Sequence, residues 1–524
     1  MEKNLYRTRK KKTRQNRCMS LITYNPAITQ AAGMCDIGQV KQIDILPDDI
    51  LLGIFSFYVD MDPWDDSKTG VEAWQSLVHV CRRWRSLVLS SPRRLNLRLV
   101  CTPKTSARDT LDIWPALPLI VEGDMSRAIL FSRTDNNIVA ALRQSHHVCQ
   151  VFLWGLANWQ LKKVMAAMQV PFPELTEMRL FTTDEFDGPD DEPPPFIPIP
   201  DSFLGGSAPH LRHFELSGIP FPGLSNLLLS ATHLVSLSLS NIPFSGYISP
   251  GAMVTLLSML SSLNTLELDC LDFRPPQSRP GLESRSTPSP KRSILPALDE
   301  FHFKGVAEYL EDLVTFIDAP QLDHMHITFF HQIVFDCPRL VQFVNCTPTI
   351  RTRDIALVKF DDWSTSVAFL PQSGITASLK ISISSISSIE PDRQLSFVAQ
   401  IGSSSLHPIS TVQDLYIEHE YLQPVWKNDA IENTLWLQLL LLFTAVKNLY
   451  LSKGFAPRIE SALQELAGSR ITEVLPSLQN IFVKGPGPSE PFQEYIGQFV
   501  TTRRLSGHPT TIYDWDKDSD WEWI

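Results

Sequence analysis

Apolar residues recur along most of the chain in one spacing, at positions 1, 4 and 6 of a short segment. The spacing fits Val148/Val151/Leu153, Leu175/Met178/Leu180, Leu211/Phe214/Leu216, Leu234/Leu237/Leu239, Leu263/Leu266/Leu268, Leu298/Phe301/Phe303 and Leu322/Met325/Ile327. It fits again at Ile355/Val358/Phe360, Val412/Leu415/Ile417, Val446/Leu449/Leu451 and Leu478/Ile481/Val483. Side chains alternate across a strand, so positions 4 and 6 share one face. Several copies follow a proline, as in "FPEL", "APHL", "LPAL", "APQL" and "LPSL". Proline pushes the residue before it out of helix, so one element ends before the next strand begins. Helical stretches such as 158–168 and 250–262 lie between copies. No single copy can bury its apolar face alone, so neighbours must stack on one parallel sheet.

The spacing of the copies is irregular, and several neighbours start 23 to 29 residues apart, as from Leu211 to Leu234 and from Leu234 to Leu263. Strand, helix, strand at this period is the signature of a leucine-rich-repeat solenoid. Three copies share a further tail, Leu216-x-x-Ile219-x-Phe221, Leu239-x-x-Ile242-x-Phe244 and Leu268-x-x-Leu271-x-Phe273. A regular repeat of this type carries Asn or Cys at position 9, and Ile219, Ile242 and Leu271 stand there instead. An irregular solenoid is expected, α/β in class; an ordinary α/β domain is the alternative.

Before the repeats lies a helical block. Pro47 suits the first turn of a helix, where its missing N–H costs nothing, and Asp48 and Asp49 sit where the helix dipole favours acids. Ile50, Leu51, Ile54, Phe55 and Tyr58 form one stripe, while Leu52, Phe57 and Val59 fall outside it. A helix apolar on nearly every side is buried on nearly every side. In the next helical stretch, 72–91, Trp74, Leu77, Val78, Cys81, Trp84 and Val88 keep helical spacing. A self-contained helical subdomain would explain both; surplus apolar surface on short helices points instead to a protein partner.

"LPDDILLGIF" followed by "LVHVCRRWRSLV" resembles the F-box. Leu46, Pro47, Asp49, Ile50, Ile54, Phe55, Val80, Cys81 and Trp84 match its motif residue by residue. The continuation at 95–123 looks like the extension in F-box proteins of mushroom-forming fungi, which often carry irregular leucine-rich repeats. The connection at 59–70 is longer than the family's usual one. The resemblance implies a substrate-recognition subunit of an SCF-type cullin–RING ubiquitin ligase, non-catalytic and without cofactor. Those nine residues would bind a Skp-family adaptor, and through it a cullin, while the repeats bind a protein substrate. The alternative is an interaction scaffold acting without a ligase.

The implied organisation is a basic tail (1–40), the F-box (41–94), a connecting extension or first irregular repeats (95–147), the solenoid (148–485) and a C-terminal segment (486–524). Composition excludes more than it adds. The 524 residues exceed what one ordinary core supports, and a net charge of −11 argues against a polyanion partner. Residues 1–17 carry eight bases against Glu2, which reads as a solvated tail or a nuclear-import signal. Cytoplasmic or nuclear placement follows, with neither membrane nor nucleic acid as partner. The longest apolar run, Leu435–Phe443, is too short for a membrane helix.

The eight cysteines form no C-x-x-C pair, so no metal site is suggested. His146, His147 and Cys149, and His324 with His326, are the best clusters and read as ordinary surface histidines. No nucleotide-binding, serine-hydrolase or zinc-protease motif occurs. Two proline-rich insertions, 183–201 and 274–293, bury too little to order themselves. The second holds Thr287-Pro288 and Ser289-Pro290, candidates for proline-directed phosphorylation. The tail 514–524, with Trp515, Trp521 and Trp523, is expected to cap the last repeat.

Overall fold

The computed structural model describes residues 46–60, 73–104, 117–126, 134–183, 197–221, 226–270, 292–330, 335–372, 378–419, 429–452, 473–484 and 492–515, apart from 352, 386 and 387 and with a few isolated positions besides. The chain divides into two units, 1–96 and 97–524.

In the first unit the Pro47 carbonyl accepts the N–H groups of Ile50 and Leu51, each at 3.1 Å, and so starts helix α1 (Asp48–Asp60). Asp48 and Asp49 fill its first turn, and each also meets an arginine. Arg83 Nη2 lies 2.7 Å from Asp48, and Arg94 Nη1 lies 3.1 Å from Asp49. The stretch expected as one helix over 72–91 is two, α2 (Ala73–Val78) and α3 (Arg82–Ser90). The break falls at Cys81, whose backbone is extended (φ −155°) and whose thiol accepts the Trp84 N–H as the cap of α3. The apolar spacing across Cys81 is therefore not one continuous stripe. Leu51, Leu52, Phe55, Trp74, Leu77, Val78 and Val88 form the core, with the Phe55 ring 4.7 Å from that of Trp84.

The second unit is built on a sixteen-stranded sheet. Its first part runs β1 (Leu99–Cys101), β2 (Leu119–Asp124), α4 (Thr134–Leu142), β3 (Val148–Leu156), α5 (Asn158–Ala167), β4 (Glu177–Thr182), β5 (His213–Ser217), α6 (Asn226–Ser230) and β6 (Ser236–Ile242). The middle runs α7 (Pro250–Leu257), β7 (Thr265–Cys270), β8 (Ser293–Ile294), β9 (Glu300–Gly305), α8 (Ala307–Thr315), β10 (Ile317–Asp318), β11 (His324–Phe330) and α9 (Pro338–Cys346). The last part runs β12 (Ile355–Phe360), β13 (Ser364–Leu370), β14 (Leu379–Ser384), α10 (Pro391–Ser403), β15 (Asp414–His419), α11 (Asp429–Leu442), β16 (Asn448–Leu451), β17 (Asn480–Lys484), α12 (Phe492–Leu505) and β18 (Thr511–Trp515). Strands β8 and β10 pair separately from the large sheet.

Pairing is parallel and keeps the 1-4-6 spacing in register. Val151, Met178, Phe214, Leu237, Leu266, Phe301 and Met325 are successive cross-strand partners at position 4. They are buried, as are the position-6 residues two further on. The protein is thus a strand–helix repeat on a mostly parallel sheet.

Left-handed residues at the ends of these strands, two of them at shifts in the ladder register, accompany the missing position-9 asparagine. Gly155, Gly218 and Asn241, all at position 8, take positive φ of 67°, 72° and 49°. A left-handed residue there turns the chain. Position 9 is then free to bury Leu156, Ile219 and Ile242. At Gly155 a side chain would strike Ser126 at 2.7 Å, so only glycine fits.

One region departs from the expected all-parallel sheet. The strand order reads β11-β14-β13-β12-β15, and β13 is antiparallel to both neighbours. After β11 the chain skips two places, lays down β12 and folds back through a tight turn in which the Asp361 N–H meets the Ser364 carbonyl at 2.9 Å. The copy expected at Ile355/Val358/Phe360 is displaced by two residues. Ala356 and Val358, not Val358 and Phe360, pair with Leu415 and Ile417.

The insertions lie mainly outside the described residues, at 184–196 and 271–291, as do Thr287, Ser289 and the basic tail. At the end of the first insertion, however, Ile199 is buried and bonded through its N–H to the Pro220 carbonyl at 3.1 Å. At the other end of the chain, α12 and β18 add a further repeat beyond 485, and β18 takes in Asp514 and Trp515 of the expected tail. Buried Arg503 fastens it, donating to the carbonyls of Val474 and Leu478 at 3.3 Å and to Thr510 Oγ1 at 3.1 Å.

Candidate protein-binding surfaces

The nine F-box-like positions split between surface and interior. Leu51, Leu52 and Phe55 face inward, whereas Ile50 (52 %), Ile54 (50 %), Phe57 (68 %) and Tyr58 (46 %) are exposed, as is Val80 (58 %) in the turn after α2. The single stripe expected from the sequence is therefore two faces. Phe55 packs on Trp84 and belongs to the core. Pro47 and Asp49 are exposed and Leu46 is half-buried. Cys81 is exposed and caps α3. Phe57, set aside from the stripe, is the most exposed large apolar residue of the helix.

In the second unit, positions 4 and 6 are buried and position 5 of each strand lies on the opposite, open face. Ladder pairing aligns position 5 into one row. Its first half is Glu122, Phe152, Arg179, Glu215, Ser238, Glu267, His302 and His326. Ion pairs and hydrogen bonds knit it together. Arg179 Nη2 is 2.7 Å from Glu177 Oε1, and its Nε is 3.5 Å from Glu215 Oε2. Ser238 Oγ donates to Glu267 at 2.7 Å, and Lys304 Nζ donates to Asp269 at 3.0 Å. His302 Nε2 lies 2.8 Å from Glu300 Oε1.

Acids outnumber cations there. Burial pushes the Glu122 carboxyl up. The Glu215 carboxyl is raised by burial, against Arg179, which lowers it, and with Glu267 and Glu177 adding repulsion. Asp269 is raised by burial despite its bond to Lys304.

The row then crosses Lys380, Ala368 and Leu357 and continues as Tyr416, Tyr450, Phe482 and Tyr513. These four rings stack, with centroids 4.1, 4.5 and 5.1 Å apart and planes within 3°, 9° and 19°. Tyr416 also packs on a buried cluster of Ile355, Leu357, Ala368 and Leu370. Burial, then the neighbouring Tyr450, raises the Tyr416 hydroxyl pKa. Beside the rings runs a polar ladder, in which Asn448 Nδ2 donates to Asp414 at 2.6 Å and Asn480 Nδ2 to Asn448 Oδ1 at 2.8 Å. The signal was in the sequence, since Tyr416, Tyr450 and Phe482 hold the same position in three copies.

His324 and His326 both lie on the open face, on either side of buried Met325. The His326 ring meets His302 at 4.6 Å. Cys149, near His146 and His147 in sequence, donates its thiol proton to the Leu119 carbonyl at 3.3 Å. Among the described residues no group of three His, Cys, Asp or Glu side chains could hold a metal ion. Among them, too, no helix is long and apolar enough to cross a membrane.

No protein-family model matches this sequence, and neither does any curated protein. Among solved structures, the chain is similar to the leucine-rich repeat-containing protein LegL7 from Legionella pneumophila. Identity is 11 %, over 82 % of this chain and all (100 %) of that one, with a TM-score of 0.24. So loose an overlap carries no argument, and the repeat architecture rests on the strand register. That register describes a strand–helix repeat preceded in the sequence by a small helical unit.

Proposed function

We propose that this chain is a substrate receptor of an SCF-type ubiquitin ligase. In this reading the helical unit docks on a Skp-family adaptor, and the repeats hold the substrate protein. The observation that carries it is the exposed outer face of α1, where Ile50, Ile54, Phe57 and Tyr58 lie over a core already filled by Leu51, Leu52 and Phe55. Large apolar side chains gathered on one short helix favour a protein groove as their cover. The F-box resemblance of Leu46, Pro47, Val80, Cys81 and Trp84 supports the same partner.

The chain performs no chemistry in this reading. It raises the local concentration of substrate lysines at a conjugating enzyme, as linked binding modules do. The basic residues 1–17 would allow work in the nucleus as well as the cytoplasm.

Burying one such side chain contributes about 1.5–3 kcal/mol. Ile54→Asp with Phe57→Asp is therefore expected to lower adaptor co-purification at least tenfold (about 1.4 kcal/mol or more) with the thermal unfolding midpoint unchanged. Full retention of the adaptor by that folded variant would sink the reading. Substrate capture without any adaptor would make the chain a ligase-independent scaffold.

A further inference from the structure

We infer that the open face of the sheet holds one extended polypeptide segment of a partner protein, basic where it crosses β4 to β9 and carrying apolar anchors where it crosses β15 to β18. The inference rests on the substrate-receptor reading and gives the substrate its chemistry.

Charge complementarity sets the first half. On the open face of β4 to β9 stand the carboxylates of Glu177, Glu215, Glu267, Asp269 and Glu300, against the cations Arg179 and Lys304. Burial and the neighbouring Glu267 already raise Glu215 and Asp269, so cations laid across them would offset that repulsion and favour the charged forms. A phosphate backbone would meet the same carboxylates as like charges.

Ring geometry sets the second half. Tyr416, Tyr450, Phe482 and Tyr513 cover one another's faces, at centroid spacings of 4.1 to 5.1 Å. A nucleobase needs an open ring face on which to stack, and the two inner rings have none. What they offer is a band of ring edges, held at one end where Tyr416 packs on the buried cluster of Leu357 and Ala368. Aliphatic or aromatic side chains pack against such edges. Asp414, Asn448 and Asn480, tied to one another, border the band.

Length fits one segment. The row from β4 to β18 crosses twelve strand spacings, roughly 58 Å at about 4.8 Å each. An extended chain of about 18 residues spans it.

The test uses full-length protein co-expressed with its adaptor. Fluorescein-labelled 20-residue peptides with lysines in one half and leucines in the other, in both orders, are titrated by anisotropy. At least one order is expected to bind tenfold or more tightly than its glutamate-for-lysine and serine-for-leucine counterparts, and to weaken with salt. Tyr450→Ser with Phe482→Ser should remove the leucine preference. Glu215→Gln with Glu267→Gln should weaken binding severalfold and flatten its salt dependence. Binding that ignores peptide charge and leucine content, or preference for a single-stranded oligonucleotide of equal length, overturns the inference. The wild-type peptide series decides even if a variant misfolds. Adaptor retention is scored in the same preparation, so loss of the adaptor with peptide binding intact counts against the ligase reading alone.

Discussion

From β4 to β11 the open face of the sheet is a lattice of carboxylates, bases and histidines; from β15 to β18 it is a stack of rings. On the other side of the same strands nothing changes. Met178 and Leu180 in β4, and Leu449 and Leu451 in β16, occupy equivalent positions and are equally buried. The fold is therefore specified by one face and leaves the other free to vary. The change of surface falls where the chain reverses through β12, β13 and β14. There Ile355, Leu357, Ala368 and Leu370 are buried on the open face as well, so this segment has two apolar faces where the other repeats have one.

That contrast can be broken from the buried side first, where the effects are largest. Trp436 on α11 is fully buried and its ring meets Phe360 at 5.9 Å, behind the aromatic half. Phe301 in β9 is fully buried behind the charged half. Each truncation to Ala should cost about 3–5 kcal/mol in urea unfolding. A cost in one half and not in the other would show that the two halves do not share one buried architecture.

On the open face the halves should part. Tyr450 stacks on Tyr416 and Phe482, and each such contact adds about 0.5–1.5 kcal/mol beyond its area. Tyr450→Ala is expected to cost about 1–2 kcal/mol by the same unfolding measurement. Arg179→Ala, which removes a partly exposed cation from Glu177 and Glu215, should cost less than about 1 kcal/mol. Equal losses would mean that the ring stack is as dispensable to the fold as the ion pairs.

The sequence carried the buried face almost entirely. Every copy of the 1-4-6 pattern from Val148 to Leu478 lands in a strand, and only the one at Ile355 is out of register. Strand direction was not legible, because side chains alternate alike in parallel and antiparallel strands. The run "SVAFL" in β13 is buried on both faces and shows no alternation at all. In the helical unit, the spacing through Cys81 imitated a continuous helix, and only the extended backbone at that residue reveals two. The ring stack was written at position 5 of three copies but needed the register before it could be seen. Tyr513, in a strand without the pattern, came from the structure alone.

The smallest expected effect concerns protons on the charged half. Burial holds the Glu215 carboxyl above its ordinary value in the folded protein, with Arg179 only partly offsetting it. Between the ordinary and the raised value the folded protein keeps a proton that the unfolded chain has lost. This group's contribution to stability therefore falls as pH rises through that window, and stays low above it. Glutamine at the same place has no proton to lose. Glu215→Gln should then match wild type below the ordinary glutamate range and exceed it slightly at neutral pH, in urea midpoints measured across that range. Because burial outweighs Arg179, losing the 3.5 Å ion pair should not reverse the sign. A variant less stable than wild type at neutral pH would show instead that the pair outweighs the burial. The carboxylate row would then be a stabilising lattice rather than a strained surface awaiting cations.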